Sequence, residues 1–258
     1  IGGTYYMVVG SGDREWGQVL LFSSSDLLHW EYETVLFGGK EYADCIECPD
    51  FFRLGDKYVL MFSKIKEKFK ATYFVVGDFV ENKLVNYTIQ NPERGYDFYA
   101  PQTMETADGR RVIIGWMQSC EKAFLPEGFP WCGILSIPRE LFLENGRLCQ
   151  RPVRELENYL KEKAVYTDVS IGKKQALTCI QGRMIDLSVT VKGKAYDKWT
   201  LYLAAGEKHY STITYDRKAE VLTFDRTYSG VHWNIVHNRS MAVKAEEELS
   251  LRILMDRY

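Results

Sequence analysis

The 258 residues are 46% hydrophobic and 26% charged, a composition typical of a globular protein with room for one large all-β domain or two smaller domains. The formal net charge is -2 and no basic stripe is present, which argues against nucleic-acid binding. No apolar run approaches the ~18 residues that a membrane span needs, so we expect neither nucleic acid nor membrane as a partner.

Both ends of the chain lie in strand-like segments. Residues 4–9 are mostly aromatic and apolar, with neither an initial Met nor a visible signal peptide before them. Residues 249–255 alternate apolar and polar side chains, and the chain stops three positions later. We therefore expect both ends to be cut through structured regions.

One pattern repeats three times in the first half of the chain. Similar apolar strands cover residues 6–11, 58–63 and 111–116, so their starts are 52 and 53 positions apart, and a second apolar strand follows each. A period of ~50 residues with several strands per unit is typical of propeller blades. Turn residues at 54–57 and 107–110 stand where tight hairpins belong. A closed ring needs about four to eight blades, so the sequence predicts only part of a propeller.

The pattern changes near residue 151. Pro152 and the apolar residues that follow it at helical spacing predict a short linker helix over 152–163. Alternating residues at 185–191, 199–203 and 249–255 then predict a β-sandwich. The predicted fold is all-β, and its parts are about three blades of a five-bladed propeller at 1–151, the linker at 152–163 and an incomplete β-sandwich at 164–258.

The six cysteines favour reduced thiols in a cytoplasmic protein over disulfides in a secreted one, because a core of this size needs no cross-links. Cys45 and Cys48 have the spacing of a redox motif, but no βαβ pattern surrounds them. No second pair accompanies them and the four histidines show no ligand spacing, so we expect no metal site.

Glu47 is the first candidate for chemistry. Hydrolysis of a sugar acetal needs two carboxyl groups, one to protonate the leaving oxygen and one to attack or to activate water. The first strand of each blade lines the channel of a propeller, and Glu47 stands at such a position among the poorly polar Ile46, Cys48 and Pro49. Partial desolvation there would favour the protonated form that a general acid needs. A structural hydrogen-bonding role for Glu47 is an equally open interpretation.

Asp97 is aligned with Glu47 as the acidic residue that opens the next repeat. Phe98 and Tyr99 follow it, and Trp116 comes from the next strand. Aromatic rings beside a carboxylate suit a sugar, whose apolar face stacks while its hydroxyls form hydrogen bonds. A turn-capping role for Asp97 stays open.

These segments resemble glycoside hydrolase family 32, the family of invertases, sucrose-6-phosphate hydrolases and fructan hydrolases. Residues 47–50, Glu-Cys-Pro-Asp, are similar to its acid/base motif, and residues 97–102 are similar to its next blade-opening motif. Further matches to family patterns occur in chain order at 25–30, 114–117, 138–141, 150–153 and 222–226.

The resemblance implies a five-bladed propeller joined to a β-sandwich. It implies retaining hydrolysis of terminal β-fructofuranosides, such as sucrose, sucrose 6-phosphate or fructans, without metal or cofactor. Glu47 would be the proton donor and later the base. The implied binding residues are Cys48, Asp50, Tyr99 and Trp116, with Asp97 a weaker candidate.

Two motifs of the family are missing from the sequence. These are the Asn-Asp-Pro motif of the nucleophile and the Arg-Asp-Pro motif of the transition-state stabiliser. We therefore expect the first two blades and two of three catalytic carboxylates to lie outside this chain, which alone would be inactive. A non-catalytic carbohydrate-binding or interaction module, and an enzyme completed by another chain, stay open. Exposed blade edges would favour a homodimer.

Overall fold

The computed structural model of the chain describes residues 3–42, 45–66, 69–117, 131, 133–230 and 236–256. Across these residues the chain forms eighteen β-strands and two short 3₁₀ helices. It divides into two compact units, Ile1–Arg154 and Glu155–Tyr258. Nowhere in the described ranges is a helix long and apolar enough to cross a membrane.

The first sheet of the first unit is an antiparallel meander of three strands. Its strands are β1 (Tyr5–Gly12), β2 (Gly17–Ser24) and β3 (Glu31–Gly39). From Gly17 to Leu21 every second residue of β2 is buried, with Val19 and Leu21 fully inaccessible. The period-two burial at 17–21 is that of a strand, although residues 19–22 of the sequence are a continuous apolar run.

The second sheet is a four-stranded antiparallel meander that follows a 3₁₀ helix at Lys40–Tyr42. Its strands are β4 (Ile46–Leu54), β5 (Lys57–Lys66), β6 (Phe69–Val80) and β7 (Lys83–Gln90).

The third sheet repeats this arrangement with one interrupted strand. Its strands are β8 (Tyr99–Glu105), β9 (Arg111–Met117), β10 (Ile134–Leu135), β11 (Arg139–Glu144) and β12 (Arg147–Pro152). β8 pairs with one edge of β9. β10 and β11 pair with successive parts of the other edge of β9, and β12 pairs with β11. β10 and β11 thus take the place of a single third strand.

The predicted repeat is confirmed, because its three segments form equivalent strands. They lie in β1, β5 and β9, and β5 and β9 are each the second strand of their sheet. By this alignment β1, β2 and β3 correspond to the second, third and fourth strands of a blade. The first unit therefore consists of three blades of a β-propeller.

The central strand β5 supplies both cores of this unit. Leu60 and Phe62 belong to a cluster shared with the first blade, whereas Val59 and Met61 belong to a cluster shared with the third blade. All four side chains are fully inaccessible. A strand that is buried on both faces needs a continuous apolar run, and residues 59–62 of the sequence provide one.

A 3₁₀ helix at Arg154–Tyr159 spans the point where the chain passes from the first unit to the second, and it is shorter than the helix predicted over 152–163. Pro152, predicted to open that helix, ends β12 and pairs with Arg139. This position is tolerated because β12 is the outermost strand of its sheet, where proline's missing N–H is not needed.

Two sheets form the β-sandwich of the second unit, as predicted. One joins β14 (Lys198–Leu203), β15 (Ser211–Asp216), β16 (Val221–Asp225) and β17 (Asn238–Ala242), and the other pairs β13 (Ile185–Lys192) with β18 (Glu248–Met255). Residues of both sheets line a shared cavity of about 420 Å³. The three strand segments predicted from alternation correspond to β13, β14 and β18.

Candidate active site

The Glu47 motif forms a β-bulge at the start of β4. The ladder between β4 and β5 pairs Glu47 with Ser63 and then skips to Asp50. Cys48, inside the bulge, has a left-handed backbone with φ of 49°, which is uncommon for a residue other than glycine. Pro49 has no backbone N–H to donate to the ladder. It is tolerated here because the bulge interrupts the ladder at this position.

The third blade contains a matching bulge. Its ladder pairs Tyr99 with Trp116 and then skips to Gln102. Ala100, which precedes Pro101, has a φ of 45°, close to that of Cys48. The two bulges place Tyr99, not Asp97, at the position equivalent to Glu47.

The alignment of Asp97 with Glu47 was therefore wrong. That alignment paired the acidic residues of the two segments. The two backbones instead match when Pro49 is paired with Pro101, and the left-handed Cys48 with the left-handed Ala100. Asp97 precedes β8 by two positions and is partly buried. Its part in sugar binding stays a prediction.

The two bulges are joined at their first residues. The phenol of Tyr99 donates a hydrogen bond to Oε2 of Glu47. Tyr99 is only 5% exposed, whereas Glu47 is partly exposed. A buried and therefore fixed donor thus orients a carboxylate that solvent or substrate can still reach.

Asp50 contacts the third blade through one of its carboxylate oxygens. Its Oδ2 accepts hydrogen bonds from the backbone N–H of Thr103 at 2.9 Å and from the hydroxyl of Thr103 at 2.6 Å. Beside it, the backbone N–H of Ala100 donates to Oγ of the fully buried Ser63 at 3.1 Å. Thr103 and Ser63 could not be predicted from the sequence, because bonds spanning 53 and 37 positions leave no local pattern.

A glycine of the first blade allows the chain to pass close behind the Glu47 motif. A Cβ on Gly10 would overlap the carbonyl oxygen of Ile46 and lie 3.3 Å from Cδ of Pro49. Any larger residue would push β1 and β4 apart. Gly10 therefore sets how closely the first blade supports the strand that carries Glu47.

Aromatic side chains flank the joined bulges. Trp116 lies opposite Tyr99 in the ladder and is 39% exposed. The ring of the buried Phe98 packs under the guanidinium of Arg139 at 4.6 Å, and Arg139 is ion-paired with Glu93. The contact with Arg139 fixes Phe98, the residue before Tyr99. The exposure of Trp116 leaves part of that side chain open to a ligand.

Comparison with known proteins identifies the family. The model for the Glycosyl hydrolases family 32 N-terminal domain matches residues 2–152, and the model for the family 32 C terminal matches residues 155–258. The chain belongs to glycoside hydrolase family 32. In this family 32 chain, the Glu-Cys-Pro-Asp segment forms the first bulge.

Two relatives of this family 32 chain are a sucrose-6-phosphate hydrolase and a raffinose invertase. The chain is 33% identical to a sucrose-6-phosphate hydrolase of Escherichia coli over 98% of its own length and 54% of that protein. It is 32% identical to a raffinose invertase of Escherichia coli over 99% of its length and 55% of that protein. The chain therefore spans about half the length of the curated relatives it matches.

A solved structure agrees with the fold. The sucrose-6-phosphate hydrolase from Lactobacillus gasseri superposes with a TM-score of 0.81 at 24% identity, over 99% of this chain and 55% of that one. At this identity the likeness concerns the fold alone.

The cysteines beside Glu47 are free thiols in this family 32 chain, as are Cys149 and Cys179. Partial burial raises the pKa of Cys45 and of Cys48, and the negative charge of Glu47 adds to both shifts. Cys120 and Cys132 lie outside the described residues. Within the described ranges, no three His, Cys, Asp or Glu side chains come together as metal ligands would.

One cavity of the first unit lies away from the Glu47 motif. A volume of about 460 Å³ is lined by residues 4–6, 51–53 and Tyr58. These residues come from the start of β1 and the end of β4, whereas Glu47 is at the start of β4. Hydrogen bonding and family membership, rather than cavity size, therefore identify the candidate site.

Proposed function

We propose that Glu47 is the general acid/base of a glycosidase that removes terminal β-fructofuranosyl units from sucrose, sucrose 6-phosphate or fructans. The observation that carries this proposal is the bond from the buried phenol of Tyr99 to the partly exposed carboxylate of Glu47. The names of the two Escherichia coli relatives support a fructoside of the sucrose type.

The proposed reaction has two steps. In the first, the Glu47 carboxyl gives its proton to the glycosidic oxygen while a second carboxylate attacks the anomeric carbon of the fructosyl unit. In the second, Glu47 takes a proton from water, and that water displaces the enzyme carboxylate with net retention of configuration. Tyr99 positions the carboxyl group of Glu47 in both steps. Its phenol donates a hydrogen bond to the ionised carboxylate and, because Tyr99 is buried, remains beside the carboxyl group when that group is protonated.

The second carboxylate is not Asp50 in this proposal. A nucleophile must approach the anomeric carbon from the side opposite the acid, and retaining pairs are about 5–5.5 Å apart. Oδ2 of Asp50 instead accepts two hydrogen bonds from Thr103. The sequence also has no Asn-Asp-Pro, so we propose that these 258 residues supply the acid/base alone and do not hydrolyse sucrose by themselves.

The remaining site residues are proposed as the wall around the fructosyl unit. Trp116 would stack on the apolar face of the sugar through its open side, and Cys48 would lie beside the reacting centre. We propose for Asp50 a role in shaping this wall through the third blade. Asp97 is proposed as a hydrogen-bonding residue at the start of the same blade.

We also propose a cytoplasmic location and a homodimer. The free thiols among the described cysteines support the cytoplasm. Exposed apolar residues on the first blade, such as Tyr5 at 49% and Tyr32 at 56%, support a homodimer.

The test compares sucrose hydrolysis by this chain and by its Glu47→Gln variant at high protein concentration. We expect no difference between them. A hybrid carrying the N-terminal part of the Escherichia coli sucrose-6-phosphate hydrolase before residue 1 should then hydrolyse sucrose or its 6-phosphate. Glu47→Gln should lower that activity about 10²–10⁴-fold.

Two outcomes would contradict the proposal. Hydrolysis by the chain alone that disappears with Glu47→Gln would place the second carboxylate within these 258 residues. A hybrid that keeps its activity with Glu47→Gln would show that another residue is the acid.

A further inference from the structure

The hairpin between β1 and β2 lies at the Glu47 end of the second blade. Gly10, near the end of β1, lies against Ile46, at the start of β4. The start of β1 instead shares a cavity with residues 51–53, at the end of β4. β1 therefore runs opposite to β4, and residues 13–16 extend past the end that carries Glu47.

Hydrogen bonds hold the backbone of Trp16 at the tip of this hairpin, and its side chain is 42% exposed. The carboxylate of Asp13 accepts hydrogen bonds from the backbone N–H groups of Glu15 and Trp16 at 2.8 and 2.7 Å. The backbone N–H of Asp13 donates to the carbonyl oxygen of Trp16 at 2.9 Å. Gly17 lies directly against the carbonyl oxygen of Tyr42, which fixes the base of the hairpin.

Lys40 brings a positive charge to the same indole. Its ammonium lies 5.8 Å from the ring centroid of Trp16, and its side chain is exposed. The 3₁₀ helix that carries Lys40 is anchored by Tyr42, whose ring packs against Phe37 and Phe62 with centroids 5.0 and 5.5 Å away. An exposed indole beside an ammonium can take a ligand that has both an apolar face and a negative charge.

We propose that Trp16 and Lys40 form a binding site for the leaving-group sugar, with Trp16 stacking on a hexose and Lys40 pairing with a phosphate on that hexose. The inference rests on the proposed function, because it assigns a site to the leaving-group sugar, whose glycosidic oxygen receives the proton of Glu47. The hairpin tip is three residues beyond Gly10, about 10 Å further along at ~3.3 Å per residue. A second hexose that carries a phosphate spans a comparable distance.

The charges around the site set the size of the effect. Arg14 is a further exposed cation at the hairpin tip, whereas the exposed Glu15 and Glu41 carry the opposite charge. A single exposed ion pair contributes at most about fivefold to binding at low salt. The phosphate should therefore add to the affinity for the hexose without dominating it.

The test follows the indole N–H signals of the ¹⁵N-labelled 258-residue chain by NMR at low ionic strength. The signal that disappears in Trp16→Leu belongs to Trp16, and Trp16→Phe serves as a second variant if the first does not fold. The probes are glucose 6-phosphate, glucose and inorganic phosphate. Methyl β-D-fructofuranoside is titrated separately as a probe of the fructosyl side.

We expect glucose 6-phosphate to shift the Trp16 signal at concentrations about fivefold below those that glucose requires. Lys40→Met should remove this difference and leave glucose binding unchanged. The matched controls are Trp30→Leu and Lys83→Met, whose residues follow the β2–β3 and β6–β7 turns at the other end of the blades. Neither control should change the titrations.

The outcomes separate the inference from the proposed function. An unmoved Trp16 signal, or inorganic phosphate acting as well as glucose 6-phosphate, would overturn the inference. Methyl β-D-fructofuranoside binding would still support the proposed function in that case. A Trp16 signal that responds to glucose 6-phosphate and depends on Lys40 would support the inference, even if the fructoside fails to bind and counts against the proposed function.

Discussion

Replacing Thr103 with Val tests whether Asp50 joins two blades. The change keeps the shape of the side chain and the backbone N–H bond to Asp50, but removes the 2.6 Å bond from the hydroxyl. A hydrogen bond to a charged group contributes about 1.5–3 kcal/mol. Since both residues are partly exposed and one of the two bonds remains, we expect a loss of about 1.5 kcal/mol in the free energy of unfolding.

Urea unfolding at pH 7, followed by circular dichroism, measures this loss. Thr88→Val is the matched control in the same unit, because Thr88 accepts only an exposed bond from Gln90 at 3.0 Å. The control should cost less than about 0.5 kcal/mol. In a double-mutant cycle, Thr103→Val and Asp50→Asn should show a coupling energy of about 1 kcal/mol.

Two results would contradict a role of Asp50 and Thr103 in joining the blades. If Thr103→Val is no less stable than Thr88→Val, the hydroxyl bond does not hold the blades. If Asp50→Asn also leaves the free energy of unfolding unchanged while weakening sugar binding, Asp50 serves the substrate and not the joint.

Two further predictions concern the same motif. Gly10→Ala should lower the free energy of unfolding by about 3 kcal/mol in urea, because its methyl group would overlap the carbonyl of Ile46, a backbone atom that cannot rotate away. Glu47→Gln should speed the alkylation of Cys48 by iodoacetamide at pH 8, followed by mass spectrometry. The negative charge of Glu47 adds to the raised pKa of that thiol, so its removal lowers the pKa and increases the thiolate fraction.

Each of these has its own control. Gly95→Ala should be nearly neutral, since nothing lies within 4 Å of the added methyl group; equal losses for both glycines would contradict the close-approach argument. The exposed Cys179 provides an internal reference for alkylation in every sample. The difference at Cys48 should disappear at a pH where the thiol is ionised in both proteins. An alkylation rate that is unchanged or slower in Glu47→Gln at pH 8 would show that the carboxylate does not act on the thiol.

Much of the architecture could be read from the sequence because it depends on local periodicity. Alternating or continuous apolar runs predict strands wherever one or both faces are buried, and three such runs about 50 positions apart became β1, β5 and β9. Glycine-containing turns mark the hairpins after β4 and β8. The Glu-Cys-Pro-Asp motif identified Glu47 as a candidate, since a short motif is itself a local pattern.

The arrangement around Glu47 depended on tertiary structure. The equivalence of Tyr99 and Glu47 follows from the ladder register on either side of two bulges, and a shift of register is not encoded in the apolar pattern of one strand. The bond between Asp50 and Thr103 joins positions 53 apart and forms only because the blades pack together. Local sequence thus determined which segments become strands, and it made Glu47 the candidate carboxylate. Packing between blades decided which groups hold that carboxylate in place, because those contacts join residues that are distant along the chain.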